Sequence, residues 1–434
     1  MFELAIVVGL LLIILLTGLP VAFGLGLTAI ILALINGIPL SFIGITVLES
    51  LNSTTLMAVP LFIFMSQVLL IGRVGDQLFE TVNTWVRHLP GGLSVATVLS
   101  CAVFAAITGS GAATAATIGT VAYPAMVSRS YDQKFTLGLL ACGGTLGILI
   151  PPSIPMILYS SITDASLDRL FIAGVIPGLL LTLLLSAYAV WRSRRGAFEP
   201  MPKAGWPERI RLTLRNLPGL LLPILVIGGI YTGIFTPTEA AAVGLVYSLF
   251  ITMVLYRSLS IRQIPKVCLE GLTTSCMIGM IIIGAHFFGK IMTILGIPQQ
   301  LTVLVMEHNF SPLMFILAIN LVLLFLGAIL ETVSVVLLTT PLVLPIMLTL
   351  NIDPIWYGVV LTINMAIALI TPPVGMDLYV IKSLRDDITL GMVIRGVTPF
   401  IMIMAFFLAL IIFFPSLSTW LPSLMPVREG GLVM

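Results

Sequence analysis

Two stretches place polar backbone and polar side chains where an otherwise apolar chain has little else that is polar. The first is Thr108-Gly109-Ser110-Gly111, followed by Gly143, Gly144 and Gly147 and then Pro151-Pro152-Ser153. The second is Gly327 to Ser334, with Glu331 and Thr332 at its centre, followed by Ala368 to Met376, ALITPPVGM. Proline removes an amide donor and drives the preceding residue out of the helical conformation, so each Pro-Pro pair predicts a helix that stops and restarts. A helix broken inside a bilayer leaves carbonyls unpaired at one end and amides at the other. Each such group costs several kcal/mol unless something satisfies it. Carbonyl oxygens suit a hard cation, and a helix start carries about half a positive charge that suits an anion. The predicted chemistry is binding of a cation together with one end of a carboxylate. The alternative is that these groups only pair with neighbouring helices.

The cation candidates are Thr108, Ser110, Gly143, Gly147, Ile150 and Pro152 in the first stretch, and Gly327, Leu330, Thr332, Thr371, Gly375 and Met376 in the second. Gly147 and Thr371 are expected in the two loops around the ion, with Ser110 and Thr332 opposite. The substrate candidates are Ser110, Thr114, Ser153, Glu331, Thr332, Asn364 and Asp377. Glu331 is costly in a membrane, about 2.5–3.5 kcal/mol on insertion scales. It is either a substrate or ion contact or a partner to backbone amides, and Asp377 carries the same ambiguity. Asn364 can donate to a carboxylate or bridge two helices. His286 and Lys290 read as a packed histidine beside a snorkelling lysine, and Glu239 as a helix-start carboxylate. The four cysteines lack metal or redox spacing and read as small packing residues, and three histidines make a histidine-built metal site unattractive.

The elements that must position these residues repeat. Phe104, Pro124, Met126, Asp132, Pro151 and Pro152 recur as Phe325, Pro345, Met347, Asp353, Pro372 and Pro373, all with an offset of 221 residues. The apolar flanks of Thr108–Gly111 are short against the roughly 20 residues that a span needs. They read as a hairpin that enters and leaves on one side. Two hairpins and two broken helices in matching halves are the sequence sign of a secondary transporter.

Composition agrees. Apolar residues make up 59% and charged residues 9%, with a mean hydropathy of +1.17. The expected fold is an all-α polytopic membrane protein of two inverted-topology repeats. The first repeat covers 1–191: scaffold spans within 1–72, an amphipathic arm at 75–90, hairpin and broken helix at 93–162, and a span at 170–191. A mildly polar loop is expected from about 37 to 55. The arm's apolar face is Leu78, Phe79, Val82, Trp85, Val86 and Leu89. A linker at 192–215 carries Arg192, Arg194, Arg195, Lys203, Arg209, Arg211 and Arg215 against Glu199 and Glu208, which places it in the cytoplasm. The second repeat covers 216–414: spans within 217–292, an arm at 297–310, hairpin and broken helix at 311–381, and a span at 396–414. A tail occupies 415–434. The first hairpin base has Arg129 and Lys134 and the second, Thr349–Pro354, has no Lys or Arg. That asymmetry inverts the halves and puts both termini outside. The amino terminus lacks a basic n-region and reads as a retained span.

These residues carry a family resemblance. GSGAATAATIGTVAYPAM (109–126), YDQKF (131–135), GTLGILIPPSIPMILY (144–159), GGIYTGIFTPTEAAAVG (228–244) and LITPPVGMDLY (369–379) resemble the large membrane subunit of tripartite ATP-independent periplasmic (TRAP) transporters along nearly the whole chain. The resemblance implies an elevator-type importer in the bacterial inner membrane. It would use transported Na+ as the coupling ion and carry an organic acid. It also implies a small membrane subunit and a periplasmic substrate-binding protein as partners, with no nucleic acid, and ion sites at the hairpin tip and broken-helix loop of each half. The competing reading is a binding-protein-independent divalent-anion/sodium symporter or ion antiporter. A serine protease built on Ser110 is disfavoured, because Thr-Gly-Ser-Gly is not the Gly-x-Ser-Gly order and His286 has no evident tie to it.

Overall fold

The structure, a computed structural model, describes residues 6–7, 9–11, 13–14, 17–194 and 201–425, and every regular element among them is helical. The outer helices of the first half are Val21–Ile35 (α1), Phe42–Leu51 (α2), Ala58–Ile71 (α3) and Val74–Val86 (α4). Gly92–Thr108 (α5) and Gly111–Val127 (α6) form a hairpin, Gln133–Leu149 (α7) and Ile154–Thr163 (α8) a broken helix, and Leu167–Arg194 (α9) follows. The second half runs Trp206–Tyr231 (α10), Pro237–Phe250 (α11), Ile264–Ile294 (α12) and Ile297–Glu307 (α13). Its hairpin is Pro312–Gly327 (α14) and Thr332–Thr349 (α15), and its broken helix is Pro354–Ala368 (α16) and Met376–Lys382 (α17). Leu390–Phe413 (α18) and Ser416–Ser423 (α19) end the described chain. Arg195, Glu199, part of the first expected span and residues 426–434 lie outside the described residues.

Among the described residues, seven helical stretches are long and apolar enough to cross a membrane, or eight if α3 and α4, bent by 69°, count as one. The chain is a multi-pass membrane protein. The helices of the first hairpin have 17 residues each, about 25 Å at 1.5 Å per residue, against a hydrocarbon core of about 30 Å.

The element starts keep the sequence offset. α6 begins at Gly111 and α15 at Thr332; α7 begins at Gln133 and α16 at Pro354. The recurring aspartates have one local job. Asp132 Oδ1 accepts the Phe135 amide at 2.7 Å and Asp353 Oδ1 accepts the Ile355 amide at 2.7 Å, so each caps the first part of a broken helix.

The first broken helix lies at the centre, and α5, α6 and α18 pack around α7. Small residues permit this closeness: a Cβ at Gly396 would lie 3.1 Å from the Gly138 amide nitrogen, so α7 and α18 cross backbone to backbone. The hairpins also reach across. The return helix α6 packs on α17, and α15 packs on α8. Each hairpin therefore braces the far part of the other half's broken helix.

Several outer features differ from the sequence reading. The expected loop at 37–55 contains helix α2, packed on α12. Its inward positions, Thr46 and Ser50, are polar and buried while Ile45 and Leu48 face outward, which is why a hydropathy reading misses it. Lys290 is not merely snorkelling: its Nζ lies 2.7 Å from Glu49 on α2. On the arm α4, Trp85 is exposed, as is Leu89 beyond its end, whereas Thr81 and Thr84 are buried with Leu78 and Phe79. The tail forms α19, which packs on α9. Cys101 and Cys142 are buried, but Cys268 and Cys276 are exposed. Glu239 does cap its helix start, in a reciprocal box with Thr236.

The basic linker is partly helical and docks on the arm. Arg209 is buried, its guanidinium 5.3 Å from the Trp85 ring and 5.7 Å from the Trp206 ring. Arg87 holds Glu208 through two hydrogen bonds of 3.2 and 3.1 Å.

Candidate functional site

The first hairpin turns at Gly109, in the left-handed region at φ +64°, where a side chain would be strained. A Cβ there would also run into the Pro152 carbonyl oxygen. Ser110 caps α6 by accepting the Ala113 amide at 3.4 Å, and its carbonyl accepts the Thr114 hydroxyl at 2.8 Å. Thr114 and Thr108 place their hydroxyls 3.0 Å apart. Gly147 lies directly beneath: a Cβ there would meet the Ser110 carbonyl carbon at 2.6 Å and Thr114 Oγ1 at 2.7 Å. Gly147 itself lies in the last turn of α7 and not in the break loop where the sequence put it, and the tip sets a carbonyl and hydroxyls against that turn.

The second break is built alike from different residues. The Val374 and Gly375 amides donate to the Ala328 carbonyl at 3.0 and 3.3 Å, tying the loop to the second hairpin. Gly375 has φ +52°, and a Cβ on it would lie 2.8 Å from the Thr371 carbonyl oxygen and 3.1 Å from that of Leu369. Two carbonyls therefore converge on a residue that has no side chain to block them. Thr371 donates its hydroxyl to Ile367 at 2.7 Å, which leaves the oxygen lone pairs available.

Both tips and the helix ends that flank both breaks line one cavity of about 120 Å³. Gly109–Ala112 and Glu331–Val333 line it from the hairpins, Ile148, Ile154, Pro155, Leu369, Met376 and Asp377 from the broken helices, and Thr274, Met277 and Ile278 from α12. The N-termini of α6 and α15 lie in its wall. Asp377 has no exposed surface, and neither carboxylate oxygen has a protein partner among the described residues. Its Oδ2 would lie 3.1 Å from a Cβ at Gly111, which sets it against the first hairpin tip. Glu331 sits at the start of α15 without a side-chain capping bond, so of its two readings the one as a partner to the helix-start amides has no hydrogen bond behind it.

Of the sequence candidates, Ser110, Glu331, Thr332, Met376 and Asp377 meet in this cavity. Others have separate partners and are not among its lining residues. Asn364 bridges helices instead, donating to the side chain and carbonyl of Asn320 at 2.7 and 2.8 Å. Ser153 closes its own break by donating to the Ile148 carbonyl. Gly143 faces Cys101, with Sγ 3.0 Å from its Cβ position, so it is a helix-packing glycine rather than part of the loop. Gly327 packs on Ala368 and Met365, and Ile150 on Gly178. The Leu330 amide donates to Leu326 at 2.7 Å in the second turn. Thr274, Met277 and Ile278 went unread in the sequence, although the triplet Thr273-Thr274-Ser275 inside an apolar span was a usable signal.

Residues 8–417 match the family described as the tripartite ATP-independent periplasmic transporter, DctM component. The chain belongs to the DctM family. It is 41% identical over 381 residues, 88% of this chain and 89% of the relative, to the C4-dicarboxylate TRAP transporter large permease protein DctM of Pseudomonas aeruginosa. The sialic acid TRAP transporter large permease protein SiaM of Vibrio cholerae is 33% identical, with 94% of this chain and 95% of that protein covered. The ectoine/5-hydroxyectoine large permease protein UehC of Ruegeria pomeroyi is 32% identical, with 87% and 88% covered. Among solved structures, the Alcanivorax borkumensis YdaH transporter has a similar fold at 12% identity, with a TM-score of 0.57 and 87% of this chain and 90% of that one covered. DctM proteins are transporter components, which sets aside the protease reading of Ser110.

Proposed function

We propose that this DctM chain is the membrane pathway of a sodium-coupled importer for a small organic acid, in the bacterial inner membrane with both termini periplasmic. A periplasmic binding protein delivers the acid and a small membrane subunit braces the outer helices. The halves are inverted repeats. The hairpins and broken helices move together as an elevator past the scaffold of α1, α3 and α10–α12. The observation that carries the reading is the cavity shared by both tips, the helix ends that flank both breaks and α12. An elevator needs its site at the seam between moving and fixed parts, and Thr274, Met277 and Ile278 supply a fixed wall.

Sodium fits the donors present. Backbone carbonyls converge on Gly375, and the Ser110 carbonyl and the Thr114 hydroxyl face Gly147, with the Thr108 hydroxyl 3.0 Å behind that of Thr114. These are hard oxygen ligands of the kind that bind alkali and alkaline-earth ions. The helix starts of α6 and α15, with Ser110 and Thr332, suit a carboxylate.

The test is uptake by the large and small subunits reconstituted in proteoliposomes with the binding protein. Uptake should require an inward sodium gradient and the binding protein. Equal uptake by the large subunit alone would favour the binding-protein-independent symporter. Gly375→Ala should raise the sodium concentration for half-maximal rate about tenfold or more, because the methyl occupies the space between two carbonyls. An unchanged sodium curve would remove that loop from the ion path.

A further inference from the structure

The described charged groups lining the cavity are both acidic, Glu331 and Asp377; none of its described lining residues is Lys, Arg or His. A site for a plain dicarboxylate should not look like this. When ionised, the two carboxylates repel a dianion, and no Lys, Arg or His among the described lining residues offsets them. Asp377 is the stronger signal. It has no exposed surface, both oxygens lack a protein partner among the described residues, and it lines the cavity. A buried carboxylate in that condition either holds a proton or is met by a cation from outside the chain. The helix starts of α6 and α15 in the same wall offer the opposite polarity, so the cavity has acceptors for a cation and donors for an anion. Its volume of about 120 Å³ suits a small molecule.

We infer that the transported acid is zwitterionic: a carboxylate held at the helix starts by Ser110 and Thr332, and a positively charged nitrogen held by Asp377 with Glu331. This rests on the transport reading above and narrows it to acids that carry a cationic nitrogen. The coupling ion keeps a separate place among the carbonyls around Gly375 and Gly147.

The test has two arms. The cognate binding protein is screened by thermal shift against matched acids with and without a cationic nitrogen, including 4-aminobutyrate, butyrate, succinate and glycine betaine. Compounds that bind are then assayed for uptake by the reconstituted complex. Uptake confined to zwitterions supports the inference, while full-rate, sodium-driven uptake of a nitrogen-free acid overturns it and leaves the transport reading standing. A complex that takes up no binding-protein cargo under a sodium gradient fails at the transport reading, and the inference falls with it. In the second arm, Asp377→Asn and Glu331→Gln are measured with the transported cargo. Each should raise KM at least about tenfold, the scale of a lost charge-assisted hydrogen bond, with half-saturation by sodium unchanged. A shifted sodium curve with unchanged KM assigns the carboxylates to the ion and overturns the inference. Should Asp377→Asn fail to assemble, Glu331→Gln and the cargo screen decide, because Glu331 is not fully buried.

Discussion

Adding one methyl group at Gly147 tests whether the first hairpin tip and the first break are in backbone contact. A Cβ there would lie 2.6 Å from the Ser110 carbonyl carbon, where ordinary contact starts at 3.4 Å. The Ser110 carbonyl oxygen is nearer still, so the tip or α7 must shift by at least about 0.8 Å, and the obstacle is backbone, which cannot rotate away. Overpacking of this kind costs about 1–3 kcal/mol, and the gain from replacing a helical glycine by alanine returns at most about 1 kcal/mol. Gly147→Ala should be destabilised by about 1–2 kcal/mol. Gly279→Ala is the matched control: the residue is helical with nothing within 4 Å of its Cβ position, so it should gain up to about 1 kcal/mol. Thermal unfolding of the detergent-purified chain should rank Gly279→Ala, wild type, Gly147→Ala in falling Tm. Uptake by the reconstituted complex should fall at least about tenfold for Gly147→Ala alone, because the displaced Ser110 carbonyl belongs to the proposed ion site. If Gly147→Ala matches Gly279→Ala in Tm and keeps full uptake, the packing argument is wrong.

Other outcomes follow from separate features. Asp132→Ala and Asp353→Ala should each cost about 1 kcal/mol in unfolding measurements, since each removes an acceptor 2.7 Å from a helix-start amide and Asp353 also accepts the Trp356 amide at 3.4 Å; a clearly smaller cost for Asp353→Ala would break that reasoning. Arg209→Ala should lower Tm clearly more than Glu208→Gln, because Arg209 is buried between two tryptophans while the Glu208 side chain is 38% exposed. Single cysteines at Ser130 and Gly205 should resist an impermeant reagent added outside, while one at Asn351 should react. Labelling of positions 130 and 351 from the same side would rule out inverted halves.

The 221-residue offset, the two breaks and the hairpin tips were legible in the sequence because each rests on local chemistry. Pro151-Pro152 and Pro372-Pro373 interrupt a helix wherever they stand, and Asp132 and Asp353 cap the chain that immediately follows them. The position of Ser110 and Thr332 at the tips was legible for the same reason, since both lie at helix starts that the sequence itself defines. What needed tertiary structure was direction. Gly143 and Gly147 are one turn apart and equally small, yet one faces Cys101 and the other faces Ser110. Asn364 could serve a ligand or a neighbouring helix until Asn320 was found 2.7 Å away. In a bilayer the outward face of a helix is as apolar as its core, so periodicity does not say which side is inside; Ile45 and Leu48 on α2 point outward while Thr46 and Ser50 are buried. For the same reason only the packing of α12 against the hairpins could bring Thr274, Met277 and Ile278 to the cavity that Glu331 and Asp377 share.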